Sequence, residues 1–140
     1  MMTPRMRPFL VLVVLLLVFG CEDSERSSSL PPCKTTDAYW TNCIGVKYFS
    51  STGQHYVGEW KDNKFHGRGT ESYDRPPFAG MVYTGEFKYG ARHGQGTLRF
   101  GSEEYQGEFK NGLADGGGTM TFEDGRVLSG RWQSGQFLSP

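Results

Sequence analysis

Residues 83–101 read Tyr83-Thr84-Gly85-Glu86-Phe87-Lys88-Tyr89-Gly90-Ala91-Arg92-His93-Gly94-Gln95-Gly96-Thr97-Leu98-Arg99-Phe100-Gly101. The first six residues alternate. In an extended strand Tyr83, Gly85 and Phe87 share one face, and Thr84, Glu86 and Lys88 the other. Tyr89 to Arg92 breaks the alternation, with a glycine free to take positive φ. Gly94 to Phe100 alternates again and places Leu98 and Phe100 on one face. Gly101 begins the next turn. Two short strands joined by a glycine-containing turn predict a β-hairpin.

The unit recurs along the chain. Tyr56-Val57-Gly58-Glu59-Trp60-Lys61 precedes His66-Gly67-Arg68-Gly69-Thr70, and Tyr105-Gln106-Gly107-Glu108-Phe109-Lys110 precedes Asp115-Gly116-Gly117-Gly118-Thr119. A degenerate copy, Leu128-Ser129-Gly130-Arg131-Trp132-Gln133, follows. Gly58, Gly85, Gly107 and Gly130 are separated by 27, 22 and 23 residues. A period in the low twenties marks a repeat architecture. The long first step contains Arg75-Pro76-Pro77-Phe78-Ala79-Gly80, an enlarged loop between hairpins. Upstream, Asn42-Cys43-Ile44-Gly45 aligns with His66-Gly67-Arg68-Gly69, so the array opens with a half-unit ending at Phe49.

The pattern Tyr-x-Gly-Glu-Trp/Phe followed by His-Gly-x-Gly-Thr resembles the MORN repeat family (membrane occupation and recognition nexus). The resemblance covers roughly Cys43 to Phe137. It implies an all-β fold, an elongated single-layer antiparallel meander of β-hairpin repeats. The units are a half-unit at 43–54, repeats at about 56–80, 83–102 and 105–126, and a partial unit at 128–138. The expected strands are about 44–50, 55–61, 69–74, 81–88, 96–100, 103–110, 118–123 and 126–133, with a short last one around 136–138.

The composition agrees with many short strands. Of 140 residues 20 are Gly and 14% are aromatic, and formal charge is zero. No basic stretch is dense enough for nucleic acid. The length accommodates one small domain.

Residues 1–20 read as a targeting segment. Arg5 and Arg7 precede an unbroken apolar run of 11 residues from Phe9 to Phe19, too short to span a bilayer, which takes about 20. The run ends Val18-Phe19-Gly20-Cys21, which resembles the lipobox of bacterial lipoproteins. That resemblance implies cleavage before Cys21 and acylation of its thiol, with ordinary secretion or an uncleaved anchor as alternatives. It places the chain on the cell membrane or outer membrane, lipid-anchored, with its domain in the periplasm or at the cell surface. Residues 21–32 are then the acylated Cys and a flexible Ser-rich tether, and 33–140 the repeat domain. Without Arg5 and Arg7 the chain keeps 13 basic and 15 acidic residues, so it has no electrostatic pull toward anionic lipid.

If Cys21 is acylated, Cys33 and Cys43 remain as a pair in an oxidising compartment. A disulfide there would close a short loop, worth about 3 kcal/mol by loop entropy. A redox pair is the alternative, although the spacing is not Cys-x-x-Cys.

The recurring rings Tyr56, Trp60, Tyr83, Phe87, Tyr105, Phe109 and Trp132 form a ladder on one face, with Tyr73, Phe100 and Phe122 adding to its packing. Cross-strand aromatic pairs contribute about 0.2–1 kcal/mol each. A single-layer sheet cannot bury both faces, so these seven rings are the candidate binding face if they stay exposed; otherwise they hold the sheet together. His66 and His93 occupy equivalent slots, matched by Asn42 and Asp115. That exchange suits side chains that stabilise turns better than metal ligands. Glu59, Glu86 and Glu108 recur on the opposite parity from the rings and read as structural. Neither a catalytic constellation nor a metal or cofactor motif is visible. The expected function is therefore a non-catalytic module that binds or scaffolds a protein of the cell envelope. Direct recognition of lipid head groups or envelope glycans by the aromatic face is the alternative.

Overall fold

The computed structural model describes residues 29–140. The segment read as a signal, Cys21 and most of the tether lie outside the described residues. Nine strands follow one another: β1 (Cys43–Phe49), β2 (Gln54–Lys61), β3 (Lys64–Tyr73), β4 (Val82–Lys88), β5 (Ala91–Phe100), β6 (Glu103–Lys110), β7 (Leu113–Thr121), β8 (Val127–Gln133) and β9 (Gln136–Ser139). They form one antiparallel sheet in sequence order, each strand paired only with its chain neighbours. This is the expected meander, and the described residues contain no helix.

The tight turns inside each hairpin are two residues long. Asp62-Asn63, Tyr89-Gly90, Asn111-Gly112 and Ser134-Gly135 all have positive φ at both positions. Such pairs match the twist of the flanking strands. Because two residues complete the reversal, β3, β5 and β7 start at Lys64, Ala91 and Leu113. These starts are five residues earlier than the expected 69, 96 and 118. The glycines first read as part of a longer turn have another use. The register slips between Gly58 and Glu59, between Gly85 and Glu86, and between Gly107 and Phe109. Gly67, Gly94 and Gly116 sit in the resulting bulges with φ of 54°, 56° and 119°, where a side chain would be strained.

Eight further glycines line up across the sheet. Gly45, Gly58, Gly69, Gly85, Gly96, Gly107, Gly118 and Gly130 are successive cross-strand partners from β1 to β8. Tyrosine side chains lie down on this row. A Cβ at Gly69, Gly96 or Gly118 would fall 2.4, 2.4 or 2.1 Å from the hydroxyl oxygen of Tyr56, Tyr83 or Tyr105. Each hydroxyl donates to a backbone carbonyl in its own strand, that of Glu59, Glu86 or Glu108, at 3.0, 2.9 and 3.2 Å.

The rings then interlock edge to face. The chain of contacts runs Trp40, Trp60, Tyr56, Phe87, Tyr83, Phe109, Tyr105, Trp132, Phe137, with centroids 4.9–5.3 Å apart. Such geometry adds about 0.5–1.5 kcal/mol per pair beyond area burial. Both ends are capped. At the start, Cys33 and Cys43 form a disulfide with an S–S distance of 2.10 Å, and Trp40 and Cys33 fill the space over Gly45 that a tyrosine fills elsewhere. Pro31 and Pro32, expected to end the flexible tether, instead join the sheet. The Ile44 amide donates to the Pro31 carbonyl at 2.8 Å, and the Cys33 amide to the Ile44 carbonyl at 2.7 Å.

Candidate functional site

The seven rings do not form an exposed face. Tyr56 and Tyr83 are fully buried, and Trp60, Phe87, Tyr105, Phe109 and Trp132 are at most 9% exposed. Of the two readings open from the sequence, a binding face or rings that hold the sheet together, this burial agrees with the second and not with a surface open to a ligand. The physical reason is the glycine row. It lets each tyrosine lie flat on the backbone, so that the next hairpin's ring closes over its edge. One sheet thereby buries a face with its own side chains and no second layer. Burial pushes the Tyr83 hydroxyl up to about 12 and raises those of Tyr56 and Tyr105, so they remain hydrogen-bond donors at neutral pH. Phe100, expected to add to the packing, is 46% exposed at the end of β5. Phe122 instead lies under the Arg126 guanidinium.

The polar residues singled out from the sequence have structural duties. The Glu59 and Glu86 carboxylates lie where a Cβ of Gly67 or Gly94 would stand, and the Glu108 side chain does the same at Gly116. Glu86 accepts from the Gln95 amide at 3.4 Å, and Glu108 from the Gly117 amide at 3.1 Å. The recurring glutamate thus fills the bulge made by the recurring glycine. His66 Nδ1 accepts from the amide of Tyr89 at 3.4 Å, and Asp115 accepts from the amide of Ser134 at 3.1 Å. Tyr89 and Ser134 each begin the tight turn of the following hairpin. In the first unit the hydroxyl of Thr41, rather than the aligned Asn42, accepts from Asp62.

Two charged residues of the ring face escaped the sequence reading. The slot after each tight turn holds Phe65, Arg92, Ala114 or Phe137, the partners of Trp60, Phe87, Phe109 and Trp132. Phe65 stacks on Tyr56 at 3.8 Å, whereas the Arg92 guanidinium lies 5.2 Å above Tyr83. Its charge is met by Glu71, buried to 6% exposure, at 2.8 Å. Glu71 also accepts from Gln54 and from the Tyr73 hydroxyl.

The opposite face is the open one. Val46, Val57, Thr70, Thr84, Thr97, Gln106, Thr119 and Ser129 are successive partners across β1 to β8. They form an uncharged row beside the glycines. From β2 to β6 this row floors a groove of about 490 Å³. Arg68, Glu86 and Gln95 stand along one side. On the other side of the row, Arg99 pairs with Glu104, and His55 with Asp74, exposed pairs of little energetic weight. The groove presents hydroxyls, carboxamides and peptide groups, a chemistry for hydrogen bonding. Among the described residues no group of three or more His, Cys, Asp and Glu is placed to hold a metal ion.

Comparison with known proteins agrees with this geometry. The MORN repeat family model matches residues 56–74, 83–103 and 105–125. No curated protein matches the chain significantly. Each matched segment spans one tyrosine strand, its tight turn and the bulged strand that follows. The chain carries three MORN repeats.

Proposed function

We propose that this chain is a non-catalytic, membrane-anchored scaffolding module of the cell envelope that docks a protein on its threonine face. The observation that carries the proposal is the closure of the ring face. With Tyr56 to Trp132 packed on one another, the groove floored by Thr70, Thr84 and Thr97 is the continuous surface left open. Capture of glycans or head groups by the rings lacks its premise, since a buried ring offers no platform. The anchor is the acylated thiol of Cys21, supported by the apolar run before it and by Val18-Phe19-Gly20-Cys21. Two or more acyl chains suffice for lasting attachment.

Photo-crosslinking in cells tests the docking face. A probe at Thr84, which is exposed, should yield a discrete protein adduct, and a probe at the buried Phe87 should yield none. An adduct from 87 alone, or from neither site, would refute docking on this face. Mass spectrometry of the purified chain should find acylated Cys21 at the N-terminus. An unmodified Met1 start would remove the anchor.

A further inference from the structure

The dimensions and chemistry of the groove narrow the occupant. It rests on the reading of this face as a protein-docking surface. We propose that the groove takes a proline-rich segment of the partner, held as a polyproline II helix, with an acidic side chain beside Arg68.

The first reason is periodicity. Equivalent floor positions recur on every second strand: Thr70, Thr97 and Thr119 on β3, β5 and β7, with Thr84 and Gln106 on β4 and β6. Two strand spacings amount to about 9.5 Å. One turn of polyproline II, three residues at 3.1 Å, is about 9.3 Å. A segment lying across the strands would therefore meet a threonine of the β3 and β5 series once per turn. An α-helix, with a pitch of about 5.4 Å, drifts out of step within two turns. An extended strand, repeating every ~6.7 Å, does so sooner. The groove runs from β2 to β6, four spacings or about 19 Å, which is the length of about six polyproline II residues.

The second reason is hydrogen-bonding sense. A proline-rich helix has no internal hydrogen bonds and few N–H groups, so its backbone is almost entirely acceptor. The floor supplies donors. Threonine hydroxyls and the Gln106 carboxamide can donate. The contact of 3.2 Å between the Thr70 and Thr84 hydroxyls consumes one hydroxyl hydrogen of the two.

The third reason is charge. The floor row from Val46 to Ser129 carries none. Glu59, Glu86 and Glu108 are turned into their bulges, so that Glu86, the cross-strand partner of Arg68, lines the groove without forming an ion pair with it. Arg68 is exposed, lines the groove and takes part in none of the ion pairs among the described residues. One acidic residue on the ligand would complement it.

The test is fluorescence anisotropy with the detergent-solubilised full chain and a labelled peptide of about four Pro-Pro-Glu repeats. Saturable binding should be about tenfold tighter than for the matching Gly-Gly-Glu peptide, because the proline helix is preorganised. Thr84→Glu should lower affinity about tenfold by setting a carboxylate against the peptide, while Thr84→Ser should preserve it; both variants should keep the parent circular dichroism and melting midpoint. Arg68→Ala should weaken the Pro-Pro-Glu peptide and leave a Pro-Pro-Ser peptide unchanged. Equal binding of the glycine peptide, tighter binding of a helical Glu-Ala-Ala-Ala-Lys peptide, or indifference to Thr84→Glu would overturn the proposal. If Thr84 crosslinks a protein in cells but no proline-rich probe binds, the occupant class is wrong and the docking face stands. If neither occurs, both fall.

Discussion

Replacing Gly96 with alanine would set a methyl group 2.4 Å from the Tyr83 hydroxyl oxygen and 2.5–2.6 Å from two ring carbons. Ordinary carbon contacts lie at about 3.5–4.0 Å, so the ring must retreat by roughly 1 Å. It has nowhere to go without disturbing others, since Tyr83 is fully buried and its edges meet Phe87 and Phe109 at 5.0 and 4.9 Å. Overpacking of this kind costs about 1–3 kcal/mol. The displaced hydroxyl also loses the Glu86 carbonyl at 2.9 Å, and an unsatisfied buried hydroxyl costs about 1–3 kcal/mol more. We expect a total near 3 kcal/mol, which for a domain of this size lowers the melting midpoint by roughly 10–20 °C. The assay is urea and thermal unfolding of the detergent-solubilised chain, followed by tryptophan fluorescence. Gly101→Ala is the internal comparison. Gly101 has φ of 62° but nothing within 4 Å of a Cβ, so only backbone strain of about 1–2 kcal/mol applies. In a Tyr83→Ala background, Gly96→Ala should become nearly neutral, because the obstructing ring is gone. If Gly96→Ala proves no more costly than Gly101→Ala, or if its cost persists without Tyr83, the glycine row does not exist to receive tyrosines.

Three further outcomes follow from other contacts. Glu71→Leu or Arg92→Leu alone should cost about 3–5 kcal/mol by leaving a buried charge unpaired, and the double substitution should cost less than either, as read by urea midpoints. Cys33→Ser with Cys43→Ser should remove about 3 kcal/mol of loop-closure stabilisation and raise hydrogen exchange first at Cys33 and Ile44, whose amides hold the lead-in. Alkaline unfolding should show its steepest loss between pH 10 and pH 12. The folded Tyr73 and Tyr83 hydroxyls are pushed up to about 12, so above 10 the unfolded chain releases their protons first and stability declines as pH rises. A stability flat across that interval would contradict the full burial of Tyr83 and the partial burial of Tyr73.

The architecture was legible because Tyr-x-Gly-x-Phe/Trp alternation, repeated at a near-constant step, admits few structures other than a hairpin array. What eluded the sequence was the division of labour among glycines. In His93-Gly94-Gln95-Gly96 both glycines look like turn residues. Only the cross-strand register reveals that Gly94 makes a bulge and Gly96 receives a ring. The same gap explains the aromatic face. Parity says which residues share a face, but whether water reaches that face depends on how closely Tyr83 approaches the backbone of Gly85 and Gly96. The groove floor left partial signals. Thr70, Thr97 and Thr119 recur as the last residue of each Gly-x-Gly-Thr, while Val57, Thr84, Gln106 and Ser129 vary in type and mark no pattern. Arg92 was detectable as the odd member of a slot holding Phe65 and Ala114 in its neighbours. Glu71 carries no comparable mark, because its burial follows from the position of Arg92 on another strand.

The clasp between Cys33 and Cys43 has a mechanical corollary. In a meander whose two ends lie at opposite edges, tension along the strand-to-strand direction peels hydrogen bonds one strand at a time, beginning at whichever edge is pulled. A pull on the chain upstream of Cys33 does not first unravel residues 34–42. It passes through the sulfur bridge directly to the head of β1, where Ile44 is already held by Pro31 and Cys33. The far edge, β9, has no covalent fastening. The bridge does not join β1 to β2, but β1 is paired to β2 at seven positions and β9 to β8 at three, so under force from both ends the array should begin to unzip from the C-terminal side.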